Sequence, residues 1–275
     1  METQIDYYKH SALNVSSINT FINKSPLHFW NNSTLNPDYY SSSETPSMIF
    51  GRAAHKIFLE NNTFYDEFAI TPEINKRTKA GKEEYAEFER MNVGKSIIDP
   101  QDMVKLTNMQ NALNTNSQIK ILMHDAECEK EVYWRYDGIN CKAKLDIIAK
   151  VNGIEVLIDY KTTSSSNIKD FEKSIAQYGY HRQAAWYIDA ARILGHDPKA
   201  FMFITQEKDL AEAIGIFSID EESIEIGRQQ NAEATQEIKE RLSSGKWNAY
   251  PEEIQSIALP FWYIKQTQAL ENYNV

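Results

Sequence analysis

Asp146, Asp159 and Lys161, with Glu129 upstream, are the residues whose types and spacing could do chemistry in this chain. They lie in one stretch, EKEVYWRYDGINCKAKLDIIAKVNGIEVLIDYK, which reads as three short strands joined at Asp137-Gly138 and Asn152-Gly153. Such dipeptides between alternating apolar residues mark two-residue hairpin turns, because type I′ geometry needs positive φ at both central positions. With Val151 facing Ile154, the second hairpin sets Asp146 opposite Asp159 and Lys144 opposite Lys161, and puts Asp159 and Lys161 on one face. With Tyr136 facing Ile139, the first hairpin sets Glu129 opposite Asp146, so three carboxylates lie in a row across three strands. Like charges at opposed strand positions, with Cβ atoms roughly 4.5–5.5 Å apart, destabilise a sheet. A divalent cation, Mg²⁺ or Mn²⁺, bound through the carboxylates and water makes such a row tolerable.

The chemistry this arrangement suggests is metal-assisted phosphodiester hydrolysis. A cation held by Asp146 and Asp159, with His55 and a backbone carbonyl, would bring a water and a phosphate oxygen together and lower the pKa of that water. Lys161 would orient or deprotonate the water, or stabilise developing negative charge. Glu129 would complete the metal shell or hold a second ion. No covalent intermediate with the protein is implied, and neither a GxSxG elbow nor a GxxxxGKS loop occurs.

The elements that must position these groups follow from pattern. The two turns cannot both be ideal with a regular strand between them. A middle-strand residue directs its N–H and C=O to one neighbour, and the neighbour alternates along the chain. Ile139 must bond backwards and Val151 forwards, yet they are an even number of residues apart. A bulge or one longer turn is expected, which leaves open whether Glu129 or Glu131 faces the site. The last strand carries Ile154, Val156, Ile158 and Tyr160 on its other face as a buried stripe. His55 sits on a helix over 46–60 begun by Thr45-Pro46, one turn from Gly51. A glycine inside a helix costs about 1 kcal/mol against alanine, so close packing is expected there. Taken alone, His55 is more often a core histidine than a ligand. A polar break at 164–167 precedes a long helix over about 170–194, with Tyr180, Gln183, Tyr187 and Ala191 along one face and Gly195 at its end.

Elsewhere, 14–31 reads as two short helices capped by Ser16 or Ser17 and by Ser25. Residues 32–44 and 66–82 read as loops, 83–91 and 102–114 as helices, 200–206 and 213–218 as strands, and 221–242 as a polar helix. An irregular aromatic tail with Trp247, Tyr250, Phe261 and Trp262 closes the chain. A net charge of −10 is awkward for nucleic acid, whose phosphates favour basic partners. The charge is uneven, however: Lys142, Lys144, Lys150, Lys161, Lys169, Lys173 and Arg182 offer a local basic lining. The absence of a secretory leader, of an apolar run near ~18 residues and of more than two cysteines points to a cytoplasmic chain with reduced thiols.

The order of these residues, Gly51–His55 as GxxxH, Glu129, Asp146, Asp159–Lys161 as DxK and Gln183–Tyr187 as QxxxY, resembles the PD-(D/E)xK nuclease superfamily. More narrowly, it is similar to the exodeoxyribonuclease VIII-like nucleases of phage and prophage recombination. CKAKLDIIA, IDYKTT, GYHRQAAWY, SPLHFW and a late LPFW (259–262) carry this likeness along nearly the whole chain. That family has an arginine ahead of the first aspartate where this chain has Lys144-Leu145-Asp146. Lysine keeps the charge without the bidentate reach. The iron–sulfur relatives need cysteines that this chain lacks.

The resemblance implies an α/β fold with a restriction-endonuclease-like core, a mixed central β-sheet with antiparallel hairpins flanked by helices. It implies a single domain over 1–275, with a helical extension at 1–45, a catalytic core at 46–220 and a helix and tail at 221–275. His55, Asp146 and Asp159 would be the metal ligands, Lys161 catalytic, and Glu129 supporting, with Mg²⁺ or Mn²⁺ as cofactor. Gln183, Tyr187 and Arg182 would contact DNA. The implied activity is 5′→3′ degradation of double-stranded DNA from its ends, leaving 3′ single strands for an annealing recombinase, by a ring of like subunits away from membranes. An endonuclease on the same core, or a silent DNA- or partner-binding protein, are the alternatives.

Overall fold

The computed structural model describes residues 7–40, 44–75, 77–261 and 263–265. Trp262 of the LPFW motif and part of the 32–44 loop lie outside them. The chain opens with α1 (Val15–Asn23), where the Asn14 side chain accepts the Ser17 N–H and the Ser17 hydroxyl accepts the Asn14 N–H. The cap is therefore Asn14, with Ser17 as its reciprocal partner. Ser25 and Pro26 start α2 (Pro26–Asn31), and Thr45 and Pro46 start α3 (Pro46–Leu59). There follow α4 (Phe64–Glu67), β1 (Phe68–Ile70), α5 (Lys79–Met91), β2 (Ser96–Ile98), α6 (Pro100–Thr115) and α7 (Ser117–Leu122). The expected loop at 66–82 thus contains the end of α4, β1 and the start of α5. β1 and β2 are short parallel partners, too brief to show a period in sequence.

The central sheet holds β3 (Glu127–Tyr136), β4 (Ile139–Val151), β5 (Ile154–Thr163), β6 (Ala200–Glu207) and β7 (Ile214–Ser218), in that spatial order. β5 and β6 run parallel and the other neighbours antiparallel. Between β5 and β6 lie α8 (Ile168–Tyr178) and α9 (Tyr180–Ile193), and α10 (Glu221–Ser244) follows β7. The expected long helix is two helices. Gly179 breaks it at φ 71°, and a Cβ there would overlap the Arg182 guanidinium and Asn19 Oδ1.

Apolar cores cover both faces of the sheet. Leu145, Leu157 and Phe203 pack with α1, α2, α8, α9 and α10 on one side. Ile147, Ile158, Tyr160 and Ile204 pack with α3, α6 and α7 on the other. This is the expected mixed sheet with helices on both faces. The tail beyond α10 begins by stacking Trp247 on Trp30, ring centroids 4.6 Å apart. No helix among the described residues is long and apolar enough to cross a membrane.

Both hairpins have the expected two-residue turns, with Tyr136 facing Ile139, Val151 facing Ile154, and positive φ at Asp137, Gly138, Asn152 and Gly153. The strand conflict is resolved without a bulge or a longer turn. Cys128↔Ile147 and Lys130↔Leu145 keep one register, so no residue is inserted. Instead Glu129, between them, takes φ 55°. Along β4, Cys141, Ala143 and Leu145 enter the first core and Ile147 and Ala149 the second, so alternation slips at Asp146. The β4–β5 ladder ends at Ile147↔Ile158. Beyond it the strands part, and Leu13 takes the neighbouring place, donating to Asn140 O and accepting from Lys142 N, each at 2.8 Å. The expected opposed pairs Asp146–Asp159 and Lys144–Lys161 therefore do not form, and Glu129–Asp146 drops out of the first ladder, while Lys144 keeps Glu131 as its β3 partner.

Candidate active site

Where β4 and β5 part, Asp146 reaches across. Its Oδ2 accepts the Tyr160 N–H at 3.0 Å, so a side-chain carboxylate holds a strand amide just past the last ladder pair. Asp159 points to the opposite face of β5 from Tyr160 and is 0% exposed. Its Oδ1 accepts from Gln183 Nε2 of α9 at 2.9 Å. Its Oδ2 is paired with Lys161 Nζ, 2.6 Å away.

On the α3 side, donor atoms of His55, Glu129 and Asp146 lie within 4.8 Å of one another. His55 Nδ1 is 3.5 Å from Asp146 Oδ2, and its ring packs on Tyr160 at 5.0 Å. Glu129 enters the cluster from its left-handed backbone, held by Lys144 Nζ at 2.5 Å, while Lys144 also lies 3.8 Å from Glu60. Glu131 stays exposed and accepts from the Tyr133 hydroxyl at 2.8 Å, so Glu129 is the residue that faces the cluster. The expected donor set was His55, Asp146 and Asp159. The mutual cluster instead has Glu129 in the third place, with Asp159 beside it against Lys161. One imidazole and two carboxylates, flanked by a third, buried carboxylate, fit a hard or borderline divalent cation.

The electrostatics agree with that fit. Burial pushes the Asp159 carboxyl up to about 6, against the pull of Lys161, and Asp146 adds to the rise. Burial likewise raises Asp146, opposed by Lys161 and reinforced by Glu129. His55 is lowered by burial and by Lys161, so it is neutral and available as a ligand. Burial works against the Lys161 charge, but Asp159 and Asp146 outweigh it and the ammonium persists above its usual range. Lys144 is raised in the same way, by Glu129 against burial. Tyr187 lies well above the ordinary phenol, because it is buried and feels Asp146 and Asp159.

Three sequence expectations change. Arg182 is 4% exposed, and its guanidinium donates to Asn19, Asn23 and Gln230. It ties α9 to α1 and α10 and presents nothing to DNA. The basic lining is largely committed: Lys142 is buried, Lys144 and Lys161 pair with Glu129 and Asp159, and Lys173 pairs with Asp170. Gly51 faces Thr162, but a Cβ would sit an ordinary 3.6 Å from Thr162 Oγ1, so contact does not force glycine there. Sequence reasoning overlooked the Tyr160 amide on Asp146 and the approach of Tyr7, whose phenol feels Asp146. The first is a backbone group without a signature, and the second comes from a distant N-terminal stretch.

Residues 15–260 match the family model described as "PDDEXK-like domain of unknown function (DUF3799)". Among solved structures, the chain is similar to a "putative exonuclease" from Eubacterium rectale, with TM-score 0.60 and 11% identity over 96% of this chain and 98% of that one. A second structure, described as SSO0001, aligns with TM-score 0.28 and 13% identity over 72% of this chain and 79% of its own. No curated protein sequence matches.

Proposed function

Because the chain belongs to the PDDEXK-like family that its residues 15–260 match, and so to the PD-(D/E)xK nuclease superfamily, we propose that it is a divalent-cation-dependent exonuclease of double-stranded DNA. The nuclease core is common to that family; the cation, the polarity and the substrate are the proposal. The observation that carries it is the His55–Glu129–Asp146 donor cluster beside the Asp159–Lys161 pair. Action from ends is supported by the likeness to exodeoxyribonuclease VIII-like proteins and by the description of the Eubacterium rectale structure as a "putative exonuclease", and the 5′→3′ polarity by that likeness alone. The same likeness supports a ring of subunits and delivery of 3′ single strands to an annealing recombinase.

His55, Glu129 and Asp146 would hold Mg²⁺ or Mn²⁺, with Asp159 adjoining. Bound there, the cation supplies Lewis acidity toward a phosphate oxygen and acidifies a water. The protein's own groups do the rest. Lys161, kept charged by Asp159, places an ammonium where negative charge grows on the phosphate. Gln183 fixes Asp159 Oδ1, so Oδ2 has a single orientation between Lys161 and the cluster. The Tyr160 amide fixes Asp146 Oδ2, and Lys144 fixes Glu129. Neutral His55 packs its ring on Tyr160 and holds its nitrogen toward the carboxylates.

Purified protein incubated with linear and closed-circular duplex, with Mg²⁺, Mn²⁺ or a chelator, tests the reading. Linear duplex should disappear only with cation, closed circles should persist, and Asp159→Ala and Lys161→Ala should lower the rate by at least about a hundredfold, in the range of lost electrostatic stabilisation. Degradation of closed circles would make it an endonuclease. Equal behaviour of wild type and both variants would sink the enzymatic reading.

A further inference from the structure

The stretch ahead of α1 is bolted to the sheet by one buried lysine. Lys142, 1% exposed on β4, donates from Nζ to the carbonyls of Tyr7 and His10, each at 2.7 Å, and lies 4.9 Å over the Tyr7 ring. A buried ammonium is costly unless it is hydrogen-bonded, so this is a strong constraint on where residues 7–10 lie. It sets four rings side by side. Tyr7 meets Tyr8 edge-on at 5.5 Å and Tyr133 at 6.2 Å, and His10 meets Tyr133 at 4.7 Å. Tyr8 is 61% exposed and Tyr133 41% exposed.

This aromatic group borders the candidate site. Tyr133 is four residues from Glu129 on β3, about 13 Å at strand spacing. The Tyr7 phenol feels Asp146, and the Tyr8 phenol feels Lys144 and Glu129. The rings therefore run outward along the β3–β4 hairpin from the carboxylates. Lys144 and Lys161 are paired with Glu129 and Asp159, and Lys142 is spent on two backbone carbonyls, so these three lysines offer little charge to grip phosphates. Aromatic faces bind single strands by another route, because every base presents a π-face whatever the sequence.

We propose that Tyr8 and Tyr133, held in place through Tyr7 and Lys142, form a stacking platform for unpaired nucleobases of the strand whose phosphate lies at the carboxylate cluster. The platform rests on the nuclease reading of that cluster and extends it to the substrate: an end whose terminal bases are separated. It adds affinity through bases, so binding of a single strand depends only weakly on salt.

The test uses a short single-stranded DNA carrying 2-aminopurine at its terminal base, with full-length protein in chelator, so that nothing is cut. Wild type should bind and quench the fluorophore, with a shallow dependence of affinity on salt. Tyr8→Ala and Tyr133→Ala should weaken binding about tenfold or more and abolish the quench, whereas Tyr8→Phe should retain both. Thermal melts of the same variants separate packing from binding: a lowered melting point with unchanged affinity would make the cluster structural and overturn the platform. Unaltered binding in both alanine variants, with cation-dependent cleavage intact, would overturn the platform and leave the nuclease reading standing. Neither binding nor cleavage by wild type would remove both.

Discussion

Asp159 is a carboxylate with no exposed surface, held by Gln183 on one oxygen and by the Lys161 ammonium on the other. Burial disfavours its charge, and the folded pKa of about 6 stands above the unfolded value of 3.8. A carboxyl raised on folding contributes stability that is fully present below about pH 4 and is lost as pH rises through about 6. The difference corresponds to about 3 kcal/mol at neutral pH. In chelator, the wild type should therefore lose stability between about pH 4 and 7 by urea titration, and Asp159→Asn should show a distinctly shallower slope over the same window. Added Mn²⁺ should offset the wild-type loss at pH 7.5, because a cation replaces the protons the site releases. A pH slope identical in wild type and variant would mean that Asp159 is charged at no cost. At this scale the sequence was informative where chemistry has a signature: Asp146, Asp159 and Lys161 stand out by type and spacing, although the opposed pairing of the two aspartates that the turns imply is replaced by Asp146 accepting the Tyr160 amide. It was silent on how the donors sort, because the exchange of Asp159 for Glu129 in the cluster depends on one left-handed residue.

Two glycines show how helices carry the site, and they should respond to alanine in opposite ways. Gly179 joins α8 to α9 with φ 71°, and α9 delivers Gln183 to Asp159. A side chain there meets an unfavourable backbone region and displaces Arg182, which ties α9 to α1 through Asn19 and Asn23. Gly179→Ala should cost about 2 kcal/mol or more in denaturant unfolding and should impair cleavage as α9 shifts. Gly51 lies inside α3 with ordinary space for a methyl group beside Thr162. Gly51→Ala should be neutral or stabilise by up to about 1 kcal/mol. If the same variant cleaves DNA poorly, the open face at Gly51 is reserved for substrate rather than for packing. Element identity was legible wherever a local signal was strong, as in the Thr45-Pro46 start of α3 and the two hairpin turns. The split at Gly179 is easy to pass over because an apolar face at helical spacing runs on through the glycine, which ends α8 as a left-handed cap. β1 and β2 were missed because three-residue strands carry no usable period.

At the scale of the whole molecule, the candidate site lies on the seam between two cores. The sheet separates them, and β4 crosses from one to the other at Asp146, where its alternation slips. His55 arrives from α3 on one side, and Gln183 from α9 on the other. Without a cation, these elements meet here through few direct contacts: Asp146 to the Tyr160 amide within the sheet, Gln183 to Asp159, and His55 Nδ1 3.5 Å from Asp146 Oδ2. The carboxylates between them repel one another, so the seam is the natural place for local opening. A cation on His55, Glu129 and Asp146, next to Asp159, would remove that repulsion and couple α3 to β3, β4 and β5 at once. Amide hydrogen exchange with and without Mn²⁺ should therefore show added protection on α3 around His55, on β3 and β4 around Glu129 and Asp146, and on α9 around Gln183. The C-terminal half of α10 and the β1–β2 pair, which supply no donor, should be unchanged. Protection confined to one layer would mean that the ion is held by one side only and that Asp159 and Gln183 do not respond to it. Uniform protection over the whole chain would indicate global stabilisation with no special place for the seam.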